Sequence, residues 1–244
     1  MNRTITIMKR ELGAYFATPV AYVFIVIFLL LTGVFTFYLG GLYERNQADL
    51  EPFFRFHPWL YMLLIPAISM RLWSEERKAG TLELLMTLPV SLVEAVIGKF
   101  LAAWCFTAIA LALTFPVWLT INYLGDPDNT VIAAGYLGSL LLAGACLAIG
   151  SCISALTKNQ VVAFVISFVI CFAFNLAGFP IVLDLFSNWA PQAIVDVISS
   201  FSFLTHFDSI LKGVVDVRDI IFFGTLIAFW LYATTLAIEA KKGS

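Results

Sequence analysis

Apolar residues in this chain are gathered into six long segments, which short polar stretches separate. Each segment approaches the roughly 20 residues that a helix needs to cross a lipid bilayer. The pattern predicts transmembrane helices at residues 20–40, 59–73, 99–124, 131–156, 161–178 and 220–238. The second segment is short and contains Pro66, but Trp59 and Trp73 lie near its ends, where membrane proteins concentrate aromatic residues.

Residues 1–18 precede the first predicted span and carry two faces at helical spacing. The apolar face collects Ile5, Met8, Leu12, Tyr15 and Phe16, and the charged residues include Arg3, Lys9 and Arg10. This pattern predicts an amphipathic helix that lies in the membrane interface. A plain basic flank of the first span is the alternative. A cleaved signal peptide is disfavoured because the uncharged run from Leu12 to Tyr43 is much longer than a signal-peptide core.

Residues 74–89 form the densest run of charge and follow the second predicted span. Ser74 has the chemistry of a helix N-cap, and Pro89 ends the helical pattern. Between them the charged positions are Glu75, Glu76, Arg77, Lys78 and Glu83, and the apolar positions Leu82, Leu85 and Met86 recur at helical spacing. We predict a short surface helix that docks a separate motor protein. A solvated loop that only sets membrane orientation is the alternative.

Two further segments have a distinctive pattern. In residues 131–156, small side chains recur every four residues at Gly135, Ser139 and Ala143, which predicts a closely packed helix interface. In residues 179–219, Pro180 and Pro191 interrupt short apolar pieces. This predicts re-entrant or surface-lying helices on the outer face, because these pieces are too short to cross the bilayer.

Composition agrees with a membrane protein, because 61% of the 244 residues are hydrophobic and only 12% are charged. If the N-terminus is cytoplasmic, ten of the fourteen Lys and Arg residues lie inside, and ten of the sixteen acids lie outside. The inside basic residues are Arg3, Lys9, Arg10, Arg71, Arg77, Lys78, Lys99, Lys158, Lys241 and Lys242. The positive-inside rule therefore predicts an even number of spans with both termini in the cytoplasm.

Several motifs that would indicate ATP binding, metal binding or ion pumping are absent from the sequence. Gly98-Lys99 is followed by Phe100, so it is not the phosphate-binding loop of an ATPase. The two histidines, His57 and His206, cannot form an HExxH zinc motif, and His206 with Asp208 is not expected to bind a metal. Few ionisable residues lie at membrane depth, which argues against an ion-coupled pump. We therefore expect no catalytic, cofactor or metal residues in this chain.

The chain resembles the ABC-2 type transporter permeases, and within them most closely the gliding-motility-associated permeases. The resemblance covers essentially the whole chain and depends on the basic N-terminal helix, on six spans, and on one charged motif that ends in Leu88-Pro89-Val90. That motif is Glu75-Glu76-Arg77-Lys78-x-Gly80-Thr81-x-Glu83-x-Leu85. The resemblance implies an all-α membrane protein in which residues 74–89 are the coupling helix that fits a groove on a nucleotide-binding subunit.

The resemblance also implies partners and residue roles. It implies that an ABC ATPase subunit binds ATP and Mg²⁺, and that a second permease copy or a related subunit completes the pathway in a bacterial inner membrane. The resemblance is compatible with an extracytoplasmic accessory protein as a further partner, and it implies no nucleic-acid partner. The implied ATPase-coupling residues are Glu75, Glu76, Arg77, Lys78, Gly80, Thr81, Leu82, Glu83, Leu85, Met86 and Pro89. Export is the expected activity, and a membrane anchor or force-transmitting scaffold without flux is the alternative.

Overall fold

The structure is a computed structural model that describes residues 3–82, 90–187, 191–213 and 216–241. All regular secondary structure in these ranges is helical. The α-helices are α1 Arg3–Phe16, α2 Pro19–Val34, α3 Glu51–Arg55, α4 His57–Ser69, α5 Arg71–Ala79, α6 Leu92–Ala112, α7 Phe115–Leu124, α8 Asn129–Leu156, α9 Gln160–Leu176, α10 Pro180–Ser187, α11 Gln192–Ser200, α12 Phe203–Leu211 and α13 Val217–Ala240.

The first span continues beyond α2 as a π-helix, Phe35–Leu39. The amide N–H of Gly40 donates to the carbonyl of Phe35 at 2.7 Å, five residues back, which is the hydrogen bond that defines a π turn. Together the two elements form a 21-residue apolar helix, Pro19–Leu39, which is long enough to cross a membrane.

Four helices of the described chain are long and apolar enough to span a bilayer. They are Pro19–Leu39, Leu92–Leu124, Asn129–Leu156 and Val217–Ala240. A fifth span results if α11 and α12, which meet at 65°, are counted as one broken helix. The six-span prediction is therefore not confirmed, because the second predicted span is divided into α4 and α5, and α9 has only 17 residues.

A serine from a distant helix occupies the junction between α4 and α5. The Ser154 hydroxyl accepts hydrogen bonds from the amides of Trp73 and Ser74, both at 3.0 Å, and donates to the carbonyl of Met70 at 2.8 Å. A side chain that inserts into the backbone hydrogen-bond ladder bends or breaks a helix. The same contact overturns the prediction that Ser74 is an N-cap, because α5 begins at Arg71 and Ser74 is buried inside it.

Helix α8 is the centre of the fold and packs against α4, α5, α6, α9, α12 and α13. Its glycines permit this crowding, since a Cβ on Gly135 would lie 2.6 Å from the Phe54 ring and one on Gly144 would lie 3.0 Å from the Trp104 indole. The predicted closely packed interface is confirmed and lies within the subunit. Helix α8 begins at Asn129 because the Asp128 carboxylate accepts from the amides of Thr130 and Val131.

Residues 179–219, where they are described, contain three short helices, α10 to α12, as the prolines at positions 180 and 191 predict. Helix α12 buries Phe203, Phe207 and Ile210 and packs against α8, whereas α11 buries only Val195. His206 does not pair with Asp208. Its Nδ1 lies 2.6 Å from the Asp219 carboxylate at the start of α13, and its Nε2 lies 3.0 Å from the Ser200 carbonyl.

Candidate functional site: the charged surface at α1 and α5

Helix α5 is fastened to the C-terminal end of α8 by side chains on its inner face. The Trp73 indole is buried and donates to Ser151 Oγ at 3.1 Å. The Arg77 guanidinium donates to the carbonyl of Ala155 at 2.7 Å and satisfies one of the carbonyls that a helix end leaves free. A displacement of α5 therefore acts directly on the central helix of the fold.

Lys99 joins three helices at this surface. Its ammonium lies 2.7 Å from Glu76 Oε1 on α5 and 3.1 Å from Glu11 Oε2 on α1, while Lys99 itself belongs to α6. Its side chain is only 5% exposed, and the ammonium lies 5.4 Å from the centre of the Trp73 ring. A buried cation of this kind is stable only when it is paired, so the three helices are held as one unit.

Helices α1 and α6 approach closely beside this ion cluster. A Cβ on Gly98 would lie 2.8 Å from Ile7 Cγ2, so glycine is what permits the contact. Tyr15 stacks on Phe106 of α6 with ring centres 5.2 Å apart, and Phe16 meets the same ring edge-on at 5.6 Å. Tyr15 and Phe16, which belong to the predicted apolar face of α1, therefore pack against α6.

The apolar side chains of α1 do not all meet α6. Ile5, on the predicted apolar face, is 43% exposed, and Ile7, which that face does not include, packs against α6. The charged residues Arg3, Lys9 and Arg10 are exposed, as expected of a polar face. Arg10 also lies 2.6 Å from Glu11 and adds a second cation to that carboxylate.

The pKa of Glu11 reflects these neighbours. Burial raises the pKa of the Glu11 carboxyl, but the charge of Lys99 and hydrogen bonds from Arg10 and Lys99 lower it by more, so the net shift is downward. The Glu11 carboxylate is therefore favoured in its charged form.

Gly80 ends α5. Its φ of 72° lies in the left-handed region, and its amide donates to the Glu76 carbonyl, as is common where glycine terminates a helix. Thr81 and Leu82 resume helical backbone after this turn. The predicted single helix over 74–89 is thus interrupted at Gly80, and the predicted site residues Glu83, Leu85, Met86 and Pro89 lie outside the described residues.

The structure divides the predicted coupling residues into two groups. Glu76 and Arg77 are partly buried and bind Lys99 and Ala155 inside the subunit. Glu75, Lys78 and Thr81 are exposed. Leu82 is partly buried against the hydrophobic core.

Sequence reasoning missed Glu11 as a site residue and treated Lys99 only as a residue at the membrane boundary. The sequence does contain one indication of the pair: each of these two residues is a charge among apolar residues of its helix, and such a charge needs a partner. Because Glu11 and Lys99 are 88 positions apart, the sequence pattern does not show that they are paired with each other.

The fold and this surface define a multi-pass helical membrane protein with a charged surface at one end. A family model described as ABC-2 family transporter protein matches residues 5–238, and the chain belongs to that family. A search of curated proteins finds no match. Members of the family are membrane subunits of ABC transporters and associate with an ABC ATPase subunit.

Proposed function

We propose that this chain is the permease subunit of an ABC exporter, and that α5 with the turn after it transmits ATPase motion to the membrane helices. The observation that carries this proposal is the two-sided construction of α5. The exposed side of α5, together with the turn that follows it, offers Glu75, Lys78 and Thr81 to a partner. The buried side of α5 is hydrogen-bonded to α8 through Trp73 and Arg77.

The ion cluster at Lys99 supports a mechanical role. Because Lys99 holds α1 and α5 together, a push on either helix moves both. The break at Met70, where Ser154 interrupts the backbone ladder, provides a hinge between the moving α5 and the membrane-embedded α4. ATP and Mg²⁺ are bound by the partner ATPase in this scheme, and this chain has no catalytic role.

The remaining elements are consistent with six spans. In this scheme the second crossing is α4 with the first residues of α5, up to Trp73, and α9 rises about 26 Å at 1.5 Å per residue, close to the roughly 30 Å of a hydrocarbon core. We further propose that both termini are cytoplasmic in a bacterial inner membrane and that a second copy or a related permease completes the pathway. Membership of the gliding-motility subgroup, with an extracytoplasmic partner at α10 to α12, belongs to the same proposal.

The experiment that tests the docking role is co-purification of the full-length protein in mild detergent, with mass spectrometry and an ATPase assay. The variant is Glu75→Lys with Lys78→Glu, which reverses two exposed charges and leaves the net charge unchanged. Glu76 is left intact because a lysine there would face Lys99. The matched control is Glu44→Lys with Arg218→Glu, which reverses two exposed charges at the other end.

The wild type and the control are expected to recover an ATPase, and the variant is expected to recover about tenfold less. Each exposed ion pair contributes up to about 1 kcal/mol, and reversal adds repulsion to that loss. If no ATPase accompanies the wild type, or if the variant recovers as much as the control, the docking proposal fails.

A further inference from the structure

A cavity of about 260 Å³ lies between α1 and α5, beside the ion cluster. Its polar walls include Glu11, Thr18, Arg71, Glu75, Glu76 and Lys99. Thr18 immediately precedes the first span, and Arg71 immediately follows the junction after α4. These positions place the cavity at the level of the lipid headgroups on the α5 side of the membrane.

Two buried polar atoms on the cavity residues have no hydrogen-bond partner among the described residues. They are Glu76 Oε2 and Arg71 Nε. Glu76 uses its other oxygen to bind Lys99, and Arg71 Nε lies 3.8 Å from Glu75, beyond hydrogen-bond distance. Buried polar groups in proteins are nearly always hydrogen-bonded, so these two atoms indicate a ligand that carries both a donor and an acceptor.

The charged side chains that line the cavity indicate which class of ligand it can bind. Three carboxylates, Glu11, Glu75 and Glu76, face two cations, Arg71 and Lys99, and Arg10 pairs with Glu11 from outside the cavity. The site therefore has charges of both signs, with an unpartnered acceptor on Glu76 and an unpartnered donor on Arg71. This arrangement favours a ligand with an ammonium group for Glu76 and a phosphate for Arg71, because phosphate and guanidinium match in charge and geometry.

We propose that this cavity binds the headgroup of a zwitterionic aminophospholipid of the phosphatidylethanolamine type. The ammonium donates to Glu76 Oε2, and the phosphate accepts from Arg71. A choline headgroup has the same charges but no N–H, so it cannot satisfy Glu76. The bound lipid lies between α1 and α5, where it fills the space left beside Lys99. This inference concerns binding alone and does not depend on the docking role of α5.

The test is native mass spectrometry of the full-length protein released from nanodiscs that contain equal amounts of phosphatidylethanolamine, phosphatidylcholine and phosphatidylglycerol with matched acyl chains. The wild type is expected to retain phosphatidylethanolamine about tenfold over phosphatidylcholine, the effect of one charge-assisted hydrogen bond. Glu76→Gln and Arg71→Gln are each expected to abolish that preference, whereas Glu44→Gln, at an exposed carboxylate elsewhere, is expected to retain it.

If Glu76→Gln weakens the Lys99 cluster, the result for Arg71→Gln still decides the test, because Arg71 is not one of the residues that pair with Lys99. Soluble O-phosphoethanolamine, titrated into nanodiscs without phosphatidylethanolamine, distinguishes the source of the headgroup. A lipid site retains phosphatidylethanolamine and binds the soluble compound only weakly. Equal retention of the three lipids, a preference for phosphatidylglycerol, or an unchanged preference in Arg71→Gln would overturn the proposal.

Discussion

Two clusters of acidic and basic side chains, one around Lys99 and one around His206, lie at opposite ends of this molecule and differ in how many helices they join. At the α5 end, Lys99 serves two carboxylates from two other helices. At the other end, His206 bonds Asp219 through one ring nitrogen and the Ser200 carbonyl through the other. The first group joins side chains from three helices around one cation, whereas the second pairs one histidine ring with a single carboxylate and a backbone carbonyl.

The difference shows where the fold is rigid and where it is adjustable. Three helices share one cation at the α5 end, so none of them can move without exposing a buried charge. The His206 group joins only the short outer helices to the first turn of α13, and its ring stacks on Phe222 with centres 4.0 Å apart. The α5 end is therefore suited to transmit force, and the outer end is suited to local rearrangement.

The largest effect is expected from Lys99→Met, which removes the cation that the partly buried Glu11 and Glu76 share and leaves Arg10 as the remaining cation beside Glu11. We expect a loss of about 3–5 kcal/mol in the free energy of unfolding, measured by thermal or denaturant unfolding in detergent. Adding Glu11→Gln and Glu76→Gln to this variant should restore most of the loss. Lys158→Met removes an exposed lysine and is the control; an equal effect in both lysine variants would contradict the role of the cluster.

Ser154→Ala comes next, because it deletes the three hydrogen bonds at the junction of α4 and α5. We expect a loss of about 2 kcal/mol, since hydrogen bonds inside membrane proteins contribute about 0.6 kcal/mol each. Hydrogen exchange should increase at residues 70–75 more than elsewhere. Ser200→Ala removes a hydroxyl that bonds only locally, to Val197, and is expected to have little effect. Unchanged or decreased exchange at residues 70–75 in Ser154→Ala would contradict the role of Ser154 at this junction.

His206→Phe preserves the ring against Phe222 and removes both of its hydrogen bonds. The expected loss is about 1–2 kcal/mol, because the buried Asp219 carboxylate is left without its partner. Hydrogen exchange should rise at residues 192–213 and stay unchanged in α1 and α5. An increase of equal size at both ends would contradict the separation between them.

The smallest expected effect is the pH dependence of Glu11. Its pKa in the folded protein is below its ordinary value of 4.5, so the stabilisation is complete above that value and is lost as the pH falls through the lower, folded-state pKa. The difference in unfolding free energy between the wild type and Glu11→Gln should therefore be constant near neutral pH and shrink on strong acidification. A difference that grows on acidification would contradict the downward shift.

Hydropathy predicts the four long spans and the amphipathic α1 because these features depend on local composition. Ile7, which the predicted apolar face leaves out, packs on α6 and lies about 200° around the helix from Ile5, and periodicity alone does not show which apolar residues of α1 meet another helix. The Ser74 error has another origin: serine at a span boundary is a typical N-cap, but here Ser154, 80 positions away, takes its amide. Contacts between such distant residues depend on how the helices pack against one another, and that packing cannot be deduced from the local pattern of residues along the chain.

The π-helix at Phe35–Leu39 sets the angular phase of the first span. Each residue turns an α-helix by about 100°, so one extra residue in a turn rotates everything beyond it by about a quarter turn. Tyr38, which is 85% exposed, therefore faces a different azimuth from the one a continuous α-helix would give it. Deleting one residue from this turn would restore the regular phase and swing the outer end of the span, with the loop that follows, around the helix axis.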